Sequence, residues 1–355
     1  MTELVIWAQN VCRSTMSLYR EVKRQCACPV LVVVRQSKHG EEARRIREKQ
    51  GQSATAYSDV VDFVWDGKIE TGMDVLKAHS GAGAVHVFSG YQVSAAVRQL
   101  ICDAHVRGLK TAVYDEAPCP VCVGLKAMLK RVYYRWVLPL KVRRVTKAAD
   151  LFLSASGRYC EKELIRLGWT KDKIIPFGYA SEVDQFCMKD GIRVKNGRGD
   201  GPLHVLHTGI ESAYRDVETL KRAMGMLGEG GVRAELRCTG GGVSTDELKQ
   251  LFEWADVLVA CGLCEPWGMR VNDAIHAGLP VVVSDGMGVA GLVKEFGCGC
   301  VYGKGNAREL ADALKKMATG DDGFWRALGS GVARAHAAYT PAARARVFLE
   351  CFTAR

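Results

Sequence analysis

Three features of this 355-residue chain predict a two-domain α/β protein built on parallel sheets. Short apolar runs alternate with segments of helical period along the whole length. Several of those runs are unbroken Val, Ile and Leu, as in strands covered by helices on both faces. One Gly-rich, charged stretch divides the runs near the middle, as an inter-domain linker does.

In the first half the strand candidates are 4–8 (LVIWA), 29–34 (PVLVVV), 61–65 (VDFVW), 84–90 (AVHVFSG), 110–116 (KTAVYDE), 150–156 (DLFLSAS) and 173–178 (KIIPFG). Between them lie helical patterns such as RSTMSLYREVKRQ and SAAVRQLICDAHVRG. The second half repeats the style with LHVLHTG, AELRCTG, DVLVACG, PVVVSDG and CVYG. The seam, MKDGIRVKNGRGDGP, gives a first domain at 1–187, a linker at 188–202, a second domain at 203–340 and a C-terminal helix at 341–355. Two Rossmann-like domains then face each other across a central cleft, with ligands beyond the carboxyl ends of the strands.

The net charge of +10 is lopsided, with +11 in residues 1–180 and −1 in the remainder. No acid occurs between Glu116 and Asp150, a window that holds Lys126, Lys130, Arg131, Arg135, Lys141, Arg143, Arg144 and Lys147. Leu125, Met128, Leu129, Val132, Trp136 and Val137 recur there at three- and four-residue spacing. A basic amphipathic helix with Trp and Tyr suits an anionic membrane surface, with Lys126, Lys130, Arg131, Arg135 and Trp136 as the contacts. No nucleic-acid recognition motif accompanies the patch, so nucleic acid is not expected as a partner. The N-terminal MTELVIWAQN lacks a basic leader and apolar core, and no apolar run is long enough to span a bilayer. The expected location is the cytoplasm, peripheral on the inner face of the plasma membrane.

Fourteen cysteines include two C-x-x-C pairs, Cys119/Cys122 and Cys261/Cys264, placed in different predicted domains. No His partner stands at zinc-knuckle spacing, so these read as small buried hydrophobes rather than zinc ligands or disulfides.

The chemistry concentrates in CEPWGMRVNDAIHAGLPVVVSDGMGVAGLV, residues 264–293, which reads as loop, helix, turn, buried strand and loop. Gly268 opens the helix, where free backbone N–H groups and the macrodipole favour phosphate. Glu265 precedes it, placed to accept hydrogen bonds from sugar hydroxyls, and Asp273 lies eight positions further on. This segment resembles the E-x7-E region of retaining GT-B glycosyltransferases of the family-4 type, with Asp273 in the second acid's place. LHVLHTGIESAYRDVETLKRA, TGGGVSTDELKQLFEWADVLVA and ADLFLSASGRYCEKELIRLGWTKDKIIPFGYASEVDQF extend the resemblance over roughly half of the chain.

The resemblance implies a GT-B architecture and sugar transfer from a nucleotide diphosphate donor to a saccharide or lipid-linked acceptor, without metal or other cofactor. Surface polysaccharide or glycolipid assembly is the expected setting. Glu265 would orient the donor sugar and Asp273 the ribose. Gly209, Arg215, Arg270 and the backbone of Gly268 and Met269 would hold the diphosphate. Ile210 stands where the family usually has an Arg, and the second domain has room for one βα unit fewer. Asp115 and Glu116, at the carboxyl end of a strand, are candidates to contact the donor sugar or the acceptor hydroxyl. Tyr91 and Gln92 are candidates to line the acceptor side. His86, His207 and His276 read as packing residues. The alternative function is a non-catalytic GT-B protein that binds a nucleotide sugar or supports a partner enzyme.

Overall fold

The computed structural model describes residues 1–35, 53–119, 125–181, 201–209, 214–240 and 243–353, with the side chains of 125–127 outside that description. Most of the expected linker, the Lys126 side chain, Cys122 and Ile210 therefore lie outside the described residues.

The first half forms a seven-stranded sheet, entirely parallel in its pairings. Its strands are β1 (Glu3–Ala8), β2 (Val30–Arg35), β3 (Phe63–Trp65), β4 (Ala84–Phe88), β5 (Lys110–Asp115), β6 (Leu151–Ser154) and β7 (Ile174–Pro176), in the order β3-β2-β1-β4-β5-β6-β7. Strand periodicity sorts the side chains: Leu4 and Ile6 join one core layer, Val5 and Trp7 the other. The first layer receives Met16, Leu18, Tyr19 and Val22 from the helix Arg13–Gln25. The second receives Leu100 and Ile101 from Ala95–Val106 and Val142 and Val145 from Leu138–Ala148. Both faces are covered, which is why the strands read as continuous apolar runs.

The second sheet has five parallel strands, β8 (Leu203–Thr208), β9 (Ala234–Thr239), β10 (Val257–Ala260), β11 (Val281–Ser284) and β12 (Gly299–Tyr302), in the order β12-β11-β10-β8-β9. In each sheet the chain reverses its direction of growth beside the first strand, between β1 and β4 and between β8 and β10. Those are the crevices where open α/β sheets bind ligands.

The last helix, Pro341–Thr353, leaves the second domain and packs on the first. Phe348 meets Phe177 and Tyr114 edge-on, and Gln25 donates to the Ala342 carbonyl at 3.0 Å. Buried Arg344 lies 4.2 Å over the Phe177 ring and donates to the Phe177 carbonyl at 2.7 Å. From the other side, the Trp267 ring sits against Gly178, whose φ of +76° and lack of a Cβ allow the approach. Trp267 donates to Asn272 at 2.9 Å, and Asn272 donates to the Tyr179 carbonyl at 2.9 Å. The second domain is thus seated on residues 177–179 of the first.

Candidate active site

A cleft of about 700 Å³ opens between the two sheets at the carboxyl ends of their strands. From the first domain it is lined by Gln9 after β1, Gly90 and Gln92 after β4, Asp115 and Glu116 at the end of β5, and Lys130 with Tyr134. From the second it is lined by Tyr214, Arg215, Cys264, Glu265 and Pro266. Both reversal points therefore contribute to one cavity, of the size that holds a small-molecule substrate.

Backbone pairing sets the second-domain wall. Arg215 forms an antiparallel bridge with Gly262, and Leu263 N donates to the Tyr214 carbonyl at 2.7 Å. Glu265 bridges to Met287, with Glu265 N on the Gly286 carbonyl at 2.9 Å and Gly288 N on the Glu265 carbonyl at 3.0 Å. These bonds hold the Arg215 and Glu265 main chain on the same rim, so their side chains face one pocket.

Behind that rim stands Arg270, only 9% exposed. Its guanidinium donates to Glu265 Oε2 at 2.5 Å and to the Thr208 carbonyl at 2.7 Å. Gly209 has φ +116°, and any Cβ there would strike the Arg215 guanidinium and lie 2.9 Å from that of Arg270. Two cations converge over one glycine, with one carboxylate bonded to Arg270. Burial, and next the charge of Arg270, lowers the Arg215 pKa, with Glu265 opposing. Arg270 thus brings to Gly209 the second guanidinium that the sequence does not show at position 210. His207 sits in the adjoining strand, buried, with Nδ1 on the Val259 carbonyl at 2.9 Å; burial holds its pKa down to about 4.

Across the cleft, Asp115 accepts from Gly90 N and Glu116 N, each at 2.9 Å. Burial outweighs those bonds and pushes its carboxyl up to about 7. Glu116 accepts from the Tyr179 hydroxyl at 3.2 Å, and Gln92 donates to the Glu116 carbonyl at 2.6 Å. Burial raises the Glu116 pKa, and nearby Glu265 raises it further. The cleft therefore has Asp115, Glu116 and Lys130 on its first-domain wall, with Arg215 and Glu265 on the other.

Several expectations need correcting. Tyr91 is fully buried, edge-on to Phe152 and Trp169, because the turn after Gly90 sends it into the core and its neighbour Gln92 into the cleft. Gly268 and Met269 open the helix Met269–His276 but do not line the cleft. Asp273, raised to about 7 by burial, lies beside Ser181 and Arg13 of the first domain rather than on the cleft wall. Lys130 reaches the cleft rim instead of serving only the outer surface. Cys119 and Cys264 form a disulfide between the two domains, with Cα atoms 6.6 Å apart. Each had read as a buried thiol because its partner lies 145 residues away.

His86 and His276 pack as expected: Trp7 donates to His86 Nδ1 at 3.1 Å, and His276 contacts His336 at 2.9 Å. Gln9, Tyr134, Tyr214, Trp267 and Asn272 escaped the sequence reading. Only Gln9 carried a signal, as the first residue past a predicted strand.

Comparison with known proteins fits this geometry. Residues 219–323 match the family model described as glycosyl transferases group 1. The chain is 28% identical over 200 residues to the sulfoquinovosyl transferase SQD2 of Arabidopsis thaliana, an alignment covering 50% of this chain and 39% of that protein. The Anabaena protein Alr3699/HepE, solved with UDP and glucose, superposes with a TM-score of 0.65 at 10% identity over 100% of both chains. The lipopolysaccharide outer core galactosyltransferase WaaB gives 0.66 at 10% identity, over 100% of this chain and 99% of that one. A glycosyltransferase from Rickettsia africae gives 0.63 at 9% identity, over 99% and 98%. The fold is GT-B.

Proposed function

We propose that this chain, a GT-B protein whose second domain matches the group 1 glycosyltransferases, is a retaining, metal-independent hexosyltransferase. It moves a sugar from a nucleotide diphosphate donor to a saccharide or lipid-linked acceptor, in surface polysaccharide or glycolipid assembly. The observation that carries this reading is the convergence of Arg215 and Arg270 over Gly209, beside Glu265, in a cleft whose opposite wall bears Asp115 and Glu116.

As the bond between sugar and diphosphate breaks, negative charge grows on the leaving phosphate. The two guanidiniums supply the positive charge to meet it, already oriented before reaction. Glu265, held by Arg270, accepts hydrogen bonds from the donor sugar, and the Asp115–Glu116 pair faces the acceptor hydroxyl. Positioning and electrostatics then carry the rate, with the acceptor attacking on the leaving group's face.

The apolar row of the basic window supports a membrane-bound acceptor. Met128, Leu129, Val132, Trp136 and Leu140 are all exposed, Trp136 at 66% and Leu140 at 76%. Among the described residues no helix is long and apolar enough to cross a membrane, so this surface would rest on the inner leaflet's anionic headgroups.

The test is a thermal-shift screen against UDP, GDP, ADP and their sugars, beginning with UDP because the Anabaena fold neighbour was solved with it. A ligand at 100 times its dissociation constant stabilises the folded state by about 2.7 kcal/mol. A shift with one base, lost in Arg215→Ala and in Glu265→Ala, supports the site. No shift with any nucleotide refutes it.

A further inference from the structure

Beside the cleft lies a second groove, of about 420 Å³, lined by Arg131, Val132, Tyr134, Arg135, Trp136 and the Glu163–Arg166 pair. Tyr134 is shared, lining both the groove and, with Lys130, the main cleft. Residues Tyr133–Val137 form a π-helical turn between the helices Leu125–Val132 and Leu138–Ala148. A π turn widens the local spacing of side chains and is frequent at functional sites. Here it sets Arg135 beside Trp136, 5.6 Å from guanidinium to ring.

We propose that this groove binds the phosphate of an anionic phospholipid and so docks the mouth of the cleft on the bilayer. The inference rests on the membrane reading above and deepens it. Three guanidiniums face the groove, and its one acid, Glu163, is taken by Arg166. Arg131 and Arg135 present the planar fork that matches phosphate oxygens in pairs. Exposed Val132, Trp136 and Leu140 on the same segment meet the acyl and interfacial region, which a soluble phosphate would leave uncovered. Through Tyr134, the bound headgroup would lie next to the acceptor side of the cleft.

Full-length protein is sedimented with vesicles of phosphatidylcholine alone and with added phosphatidylglycerol, with melting temperature as the control for folding. Arg131→Ala with Arg135→Ala is expected to weaken binding to the anionic vesicles about thirtyfold. Arg131→Lys with Arg135→Lys keeps the charge but loses the fork, and is expected to show most of that loss. Arg143→Lys with Arg144→Lys, exposed outside the groove, is expected to bind like wild type. Wild-type binding at the anionic vesicles that is unchanged in Arg131→Lys/Arg135→Lys would overturn the groove and leave the membrane reading standing. No binding of wild type to either vesicle would overturn both, while the nucleotide screen still reports on the catalytic reading.

Discussion

Arg270 reaches Glu265 at 2.5 Å while its other terminal nitrogen is fixed to the Thr208 carbonyl, so one guanidinium ties the acid loop to the end of the first strand of the second domain. Glu265 consequently has a set position before any ligand arrives. Pre-set groups of this kind lose little to reorganisation during reaction. Arg270→Ala should lower the transfer rate about a hundredfold or more with the fold intact, and should weaken the nucleotide thermal shift. A variant with wild-type rate would show that Glu265 needs no such partner.

Gly209→Ala tests the glycine beneath both guanidiniums. The substitution demands φ +116° of a residue with a Cβ and drives that Cβ into Arg215. Nucleotide binding measured by calorimetry should fall by at least tenfold, and stability by about 1–3 kcal/mol. Gly225→Ala, where a Cβ would have nothing within 4 Å, is the control and should leave binding unchanged.

Asp115 and Asp273 should each give stability a component that slopes downward from acid to neutral pH, opposed by the rising component of His86, His207 and His276, whose pKa values burial lowers. Asp115 and Asp273 each rise from an ordinary 3.8 to about 7, chiefly because burial penalises the charged form. Between those values each folded carboxyl keeps a proton that the unfolded chain has released, so the stability that these two acids contribute falls as pH rises towards 7 and levels off beyond it. Asp273→Asn should raise the melting temperature at pH 8 by several degrees and leave it nearly unchanged at pH 4, so that the gap between variant and wild type widens with pH in a thermal melt series. Equal shifts at both pH values would remove Asp273 as a source of the slope.

The Cys119–Cys264 bond fastens one cleft wall to the other beside Glu265. Reduction should therefore loosen the cleft more than either domain. Hydrogen exchange in a reduced sample should quicken at residues 116–119 and 262–266, while β1 and β10 stay protected. Closing a loop of 145 residues is worth about 4–5 kcal/mol in the chain-entropy picture, so Cys119→Ser should melt several degrees lower. Nonreducing peptide mapping provides the direct check, since the bridged peptide disappears on reduction.

Asn272 links Trp267 to the Tyr179 carbonyl, and through them the second domain to the end of the first. Asn272→Ala leaves the buried indole N–H and that carbonyl without their partner. It should cost about 1–3 kcal/mol by denaturant titration. A neutral result would mean that the packing of Trp267 against Gly178 suffices to dock the domains.

Much of this molecule was legible in its residues because the relevant forces act locally. The helix Arg13–Gln25 and the strands β2 and β11 follow from apolar periodicity and from Val runs that only a doubly covered sheet can bury. Glu265 was legible from its place just before the helix that Gly268 opens, and Arg215 only through the resemblance of LHVLHTGIESAYRDVETLKRA to the glycosyltransferase family. Tertiary structure alone decided the rest. Tyr91 and Gln92 are adjacent, yet one is core and the other cleft, a difference that depends on how the chain leaves Gly90 against Trp169. Arg270 joins Arg215 over Gly209, and Cys119 meets Cys264, only because two sheets bring distant segments face to face. Periodicity records which face of an element is buried; which distant side chains share a cavity depends on the packing of whole layers, and that is a property of the folded chain.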